Sequence, residues 1–387
     1  MLTYIRSVRP QARLSAVCTY PERVTADYGI PAVPIRLESP YPRTAGFVIR
    51  ALHRVFVRFP REIATWARTI AHMRKIDLLV IPGTGILDDY AIAPGDLPYG
   101  LFRWCVSARL AGAKVLFVSI GAGPINHPVS RWLMKTAASV ASYRSFRDQI
   151  SKDFMATLGL DTRHDPVYPD LTFSLPVPET GRTLAARDQP SVIGVGLMTY
   201  YGWRNDSGRG AEVFATYVRK MSDFVAWLLH RGYAVRLLVG EEGDTIAAGR
   251  VAAEVRGAVG VDEASRLVCA EIDSVETLLE EIAATDVLIG TRFHNVVYGL
   301  LLDKPVISIG YAARNAALLQ DAGLGNYSQQ IEALDVAVLK EQFNDVRDNW
   351  RRLEDCVREK RIRYQQRLQE QFDVGVKHFF ASDPSSR

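Results

Sequence analysis

Arg292 and His294 stand two residues apart, and by type and spacing they are the pair best suited to chemistry in this chain. A guanidinium grips carboxylate or phosphate oxygens in a bidentate fork, and an imidazole exchanges its proton near neutral pH. Both lie in residues 284–310, a run that begins with an apolar strand from Val287 to Ile289. The turn Gly290-Thr291-Arg292-Phe293-His294 follows, then a helix-like stretch from Asn295 to Leu302 and a second apolar strand from Pro305 to Ile309. In parallel α/β sheets, the turn after a strand's carboxyl end is where ligands bind. A plainer reading stays open: Thr291 caps the helix, Arg292 is solvated in the turn and His294 packs half-buried.

The elements that must position such a pair follow from periodicity. At 387 residues the chain exceeds one ordinary core and suggests two domains. Hydrophobic residues at 48% and charged residues at 23% fit a globular enzyme and exclude disorder. A net charge of +4, without a dense basic block interleaved with aromatics, excludes a nucleic-acid partner while allowing an acidic ligand. Cys18, Cys105, Cys269 and Cys356 are too far apart for a zinc or redox motif. With no signal-peptide pattern and no run of about 20 apolar residues, a cytoplasmic location is expected.

Buried-strand runs alternate with amphipathic helices, the pattern of parallel α/β folds. Strands are expected at Leu14–Cys18, Leu78–Ile81, Val115–Ile120 and near Tyr143–Phe146, then at Val192–Leu197, Ala234–Val239 and Leu267–Cys269. Between the first of these, Leu52, Val55, Phe56, Phe59, Ile63, Trp66, Ile70 and Met73 give one helix an apolar face. Gly83, Gly85, Gly121 and Gly123 follow strands, where the backbone can turn tightly beside a ligand. Residues 1–175 form a first α/β domain, 176–191 a Pro- and Gly-containing linker, 192–331 a second such domain, and 332–387 a helical tail. In that tail Leu339, Phe343, Val346, Trp350, Leu353, Val357, Tyr364, Leu368 and Phe372 keep a 4–3 rhythm. The rhythm suits a long helix packed on the protein's own body, or alternatively a coiled coil that would make an oligomer.

Several short motifs occur in a fixed order. They are Ile81-Pro82-Gly83-Thr84-Gly85, Ile120-Gly121-Ala122-Gly123-Pro124, Arg147-Asp148 with Ser151, Pro169-Asp170, Arg292-x-His294, and Ile309-Gly310-Tyr311. In this order, over roughly residues 8 to 327, the chain resembles the polysaccharide pyruvyl transferase family. The resemblance implies two Rossmann-like α/β domains with parallel sheets, glycosyltransferase-B-like and facing across a cleft, followed here by the long C-terminal helix. It implies transfer of a pyruvyl group from phosphoenolpyruvate to hydroxyls of a glycan or lipid-linked sugar, with ketal formation and phosphate release, in cell-surface or exopolysaccharide biosynthesis. Phosphoenolpyruvate is then a donor substrate, with no cofactor and no metal, and a lipid-linked acceptor would draw the protein to a membrane surface. The resemblance also implies a strand and Gly-rich turn ahead of the first helix, whereas Met1 falls inside that helix. A missing first strand and an open sheet edge are therefore expected. Arg314 stands where lysine is expected.

The resemblance assigns donor binding to Arg292 and proton transfer to His294. An anionic donor needs further positive charge, for which Arg147, Arg204 and Arg314 are candidates. Arg147 beside Asp148 is equally readable as a structural ion pair. Trp203, near Tyr200 and Tyr201, suits stacking on a sugar; Glu241 suits an acceptor hydroxyl, and Tyr311 and the glycines complete the expected binding set. Two other readings compete: a nucleotide-sugar glycosyltransferase of twin-Rossmann type, and an inactive, truncated relative.

Overall fold

A computed structural model describes residues 1–35, 59–89, 92–177, 189–202 and 208–381. The chain divides into two units, Met1–Leu171 together with the segment from Arg367 onward, and Thr172–Gln366.

In the first unit, α1 (Leu2–Val8), β1 (Ala16–Cys18), α2 (Pro21–Tyr28) and β2 (Ala32–Pro34) come first. They are followed by α3 (Phe59–Met73), β3 (Leu78–Pro82), α4 (Leu97–Leu110), β4 (Lys114–Ile120), α5 (Pro128–Ser139), β5 (Tyr143–Phe146) and α6 (Gln149–Thr157). β1 pairs with β2 in one parallel sheet, and β3, β4 and β5 form another in that order. β4 is apolar on both faces and buried from Val115 to Ile120, as a central parallel strand must be. The face expected on α3 is buried only toward its end: Met73 is enclosed, but Phe59 and Ile63 are 65% and 57% exposed. Leu52, Val55 and Phe56 lie outside the described residues.

The second unit contains β6 (Val192–Leu197), α7 (Gly210–His230), β7 (Ala234–Val239), α8 (Thr245–Ala258), α9 (Val261–Ala264), β8 (Leu267–Cys269) and α10 (Val275–Ala283). It continues through β9 (Val287–Gly290), α11 (Phe293–Leu301), β10 (Val306–Gly310), α12 (Ala313–Asp321), β11 (Ser328–Gln330), α13 (Val336–Asp348) and α14 (Trp350–Glu370). Its six strands are all parallel, in the order β8-β7-β6-β9-β10-β11. Counted along the unit this is 3-2-1-4-5-6, the Rossmann winding, which reverses direction between β6 and β9.

The tail's stripe is covered by the chain itself. Leu339, Phe343 and Val346 of α13 are buried, and Phe343 packs edge-on against Phe224 and Trp227 of α7. Trp350, Leu353, Val357 and Tyr364 of α14 are also buried. From Arg367 the chain rejoins the first unit through a π-helical turn, Gln371–Val376, and α15 (Lys377–Ala381). There Phe372 stacks on Tyr4 at 4.3 Å. Gln371 accepts a hydrogen bond from the Ser119 hydroxyl and donates one to Ser145 Oγ, which in turn accepts from the Ser119 N–H. Ser119 holds a left-handed φ of 52° where the β4–β5 pairing slips, so this network secures a bulge in the sheet. Among the described residues no helix is long and apolar enough to cross a membrane.

Candidate functional site

At a switch point, loops on either side of the reversal diverge and leave room for a ligand beyond the carboxyl ends of the strands. In the second unit those ends are Leu197-Met198-Thr199 after β6 and Gly290-Thr291-Arg292 after β9. Small residues let neighbouring chains close in here. A Cβ on Gly196 would meet Asn295 Nδ2 at 2.6 Å, and one on Gly240 would meet Arg292 Cγ and Asn295 Oδ1 at 3.0 Å.

Arg292 occupies the N-cap position of α11. Its guanidinium grips Asp244 with both arms, Nε to Oδ2 at 2.8 Å and Nη2 to Oδ1 at 2.9 Å, and Nη2 lies 3.0 Å from Glu241 Oε2. Asp244 is wholly buried and also accepts the Thr199 N–H at 2.9 Å, tying the β6, β7 and β9 ends together. Burial works against the Arg292 charge, but hydrogen bonds and attraction from Asp244, with help from Glu241, outweigh it and hold the guanidinium above its ordinary pKa. Two carboxylates therefore surround one permanent cation. Below it the buried Tyr217 phenol, pushed up by desolvation, shares a 2.9 Å hydrogen bond with Thr291.

His294 projects from the first turn of α11 and is exposed. Its ring meets Phe293 edge-on at 5.6 Å and tilts toward Tyr298 at 6.2 Å. Arg314 lies over the other partner of this group, 5.5 Å from the Phe293 ring centre, and donates to the Tyr311 hydroxyl at 2.9 Å. Glu241, Arg292, His294, Tyr311 and Arg314 thus lie beyond the carboxyl ends of β7, β9 and β10. Trp203 and Arg204 lie outside the described residues; their neighbour Tyr200 is buried and donates to Glu332 at 2.6 Å.

The remaining expected residues belong to the first unit. Arg147 is buried, 3.1 Å from Asp170 Oδ2 and 3.6 Å from Asp148 Oδ2. Asp148 caps α6 by accepting the Ser151 N–H, and Ser151 Oγ accepts the Ala122 N–H. Gly121 sits against the Arg147 guanidinium, where a Cβ would collide with it, and Gly83 sits likewise against Leu171. Gly121 donates to Thr84 C=O, joining the turns after β3 and β4 next to Gly85. The Arg147-Asp148-x-x-Ser151 motif, read with Asp170, is therefore a clamp on these turns.

Sequence reasoning gave Asn295 and Tyr217 no role at the site and read Thr291 as a helix cap, whereas Arg292 holds that position. Asn295 is fully enclosed, and its amide has no hydrogen-bond partner among the described residues. Its position directly after His294, facing Gly196 and Gly240, is a signal only once the strand ends are known to converge.

Parallel sheets in both units, with polar groups gathered at the switch point of the second, define a glycosyltransferase-B-like α/β fold. A family model described as polysaccharide pyruvyl transferase matches residues 1–313, and the chain belongs to that family. None of the curated proteins compared matches the sequence. Among solved structures, a putative UDP-N-acetylglucosamine 2-epimerase from Listeria monocytogenes is similar, with a TM-score of 0.58 at 11% identity over 99% of this chain and 93% of that one. The UDP-GlcNAc 2-epimerase from Neisseria meningitidis, bound to UDP-GlcNAc, gives 0.55 at 9% over 92% and 90%. An α,α-trehalose-phosphate synthase (UDP-forming) from Burkholderia vietnamiensis gives 0.50 at 11% over 83% and 78%.

These findings correct the expected pyruvyl transfer from phosphoenolpyruvate. The solved structures named above are described as UDP-GlcNAc 2-epimerases and a UDP-forming trehalose-phosphate synthase. The local electrostatics agree with the correction, because the cation meant to clamp a multiply charged acid is already balanced by Asp244 and Glu241. The chain is a transferase-family member on a fold that transferases and epimerases share.

Proposed function

We propose that the chain is a nucleotide-sugar-dependent transferase of the twin-Rossmann type, with the donor at the switch point of the second unit. The observation that carries this reading is the exposed His294 on the first turn of α11, flanking the same Phe293 ring as Arg314. The N-terminal end of α11 and the Arg314 guanidinium would meet a diphosphate. Glu241, two-thirds exposed (66%), offers an acceptor to ribose or sugar hydroxyls. His294 would move the proton of the acceptor hydroxyl.

Calorimetric titration with UDP, UDP-GlcNAc and phosphoenolpyruvate tests the assignment. UDP should bind, and Arg314→Ala should weaken it by about 1.5–3 kcal/mol, the worth of a charged hydrogen bond. His294→Ala should keep binding but lower turnover with a UDP-sugar by about 10²–10⁴-fold. Binding of phosphoenolpyruvate with no response to any nucleoside diphosphate would sink the proposal.

A further inference from the structure

Three helices of the first unit present a row of aromatic rings to solvent. On α4, Leu101, Trp104, Cys105 and Ala108 turn into the core, which leaves Phe102, Val106, Arg109 and Leu110 on the opposite side. On α5, Met134, Ala137 and Ala138 point inward and leave Val129, Trp132 and Thr136 outside. The Trp66 ring of α3 lies 5.9 Å from Phe102, and Phe102 lies 5.2 Å from Trp132, so the rings form one continuous strip. Trp132 is 58% exposed and Leu110 67%. A contiguous apolar strip marks an interaction surface, whereas apolar residues scattered singly mark nothing.

Charge along the strip has one sign. Arg109 and Arg131 are exposed next to Leu110 and Trp132, and neither α4 nor α5 contains an acid within its bounds. Asp96 sits at the N-cap of α4, the end opposite Leu110. The acid of α3, Glu62, is engaged: it accepts the Tyr99 hydroxyl and faces Arg103 at 3.9 Å, while Tyr99 accepts the Trp66 indole N–H. An isologous contact with a second copy would set this patch against itself, cations against cations with no acid to answer them. The charges on these helices therefore select an anionic partner.

We propose that this face docks the protein on an anionic lipid bilayer, with Trp132, Val129 and Leu110 entering the boundary between headgroups and acyl chains and Arg109 and Arg131 meeting lipid phosphates. Indole rings settle at that depth because the ring is apolar and its N–H is polar. Cations beside them gain from the negative surface potential, each worth about fivefold in affinity near the leaflet. A few apolar side chains and two arginines give reversible adsorption rather than insertion. The contact needs neither a lipid-linked acceptor nor a bound donor, so it stands apart from the reaction assigned above.

The test is co-sedimentation of the full chain with two kinds of vesicle, phosphatidylcholine alone and phosphatidylcholine mixed with phosphatidylglycerol, neither carrying any glycan. The chain should bind the mixed vesicles, come off as salt is raised, and stay in the supernatant with the neutral ones. Trp132→Ala should lower binding about tenfold, and Arg109→Glu by at least about fivefold. Both side chains are exposed, so the thermal midpoints of these variants should match the parent's; Val129→Ser repeats the apolar arm if Trp132→Ala melts early. No binding by the parent, unchanged binding by the folded variants, or equal binding to neutral vesicles overturns the proposal. So does a dimer in equilibrium sedimentation that Trp132→Ala dissociates while vesicles stay unbound, since the face would then belong to a second copy.

Discussion

Two arginines expected to touch ligand are each held by a carboxylate. Arg147 and Asp170 leave only 2% and 4% of their side chains exposed. Asp170→Ala removes the nearer carboxylate of a buried pair and should cost about 3–5 kcal/mol in a denaturant titration, because the guanidinium stays buried with only Asp148, 3.6 Å away, to balance it. The Asp244 carboxylate faces the same arithmetic with a different consequence. Asp244→Asn keeps the shape but removes its charge, so Arg292 becomes available to added anions. Binding of sulfate or UDP, followed by calorimetry, should become tighter in this variant, while stability falls. An unchanged anion affinity would show that the Arg292 charge is screened by Glu241 alone.

Helix α11 must lie close on β9 and β10 for His294 to stand at the strand ends. Gly299 permits this, since a Cβ there would meet Leu288 at 2.6 Å and Val306 at 2.8 Å. Gly299→Ala should overpack the contact, costing about 1–3 kcal/mol by chemical denaturation, despite the better helix propensity of alanine. Farther along the same sheet, the Tyr327 hydroxyl donates to Asp345 of α13, just before β11. Burial first, then the hydrogen bond and charge of Asp345, push this phenol up to about 12 from the ordinary 10.0. A raised pKa means stability that is full below pH 10 and lost as pH climbs from about 10 toward 12, since the unfolded chain ionises first. Tyr327→Phe should flatten that alkaline loss in pH-dependent thermal melts; a melt curve as steep as the parent's would assign the loss to other groups.

Each unit of the molecule has its own parallel strands, yet the last described stretch of chain leaves the second unit to complete the first. Ending the chain at Gln366 would remove Gln371 from the Ser119–Ser145 bulge and Phe372 from the Tyr4 ring. Exchange at β4 and β5 amides should then rise by at least tenfold, while β6, β7 and β9 amides keep their protection. Uniform loss of protection across both sheets would mean that the two units unfold as one.

Much of the framework was legible without coordinates. β6 and β7 fall where their apolar runs lie, and β9 begins at the expected Val287, because residues buried on both faces leave a continuous signature; β8 also lies where expected although only Leu267 of its three residues is buried. Ala32–Pro34 and the polar Ser328–Gln330 carry no such signature and escaped notice, since pairing with a neighbour, rather than composition, makes them strands. Periodicity announced an apolar stripe on the tail but not its partners: a stripe records that a face is buried, and only packing says against what. The Arg292-x-His294 motif likewise marked a place, a turn after a strand. Its electrostatics came from Asp244 and Glu241, about 50 residues earlier in sequence and brought to hydrogen-bond distance by the parallel pairing of β7, β6 and β9. Charge balance depends on distances of a few ångströms, and those belong to the tertiary structure.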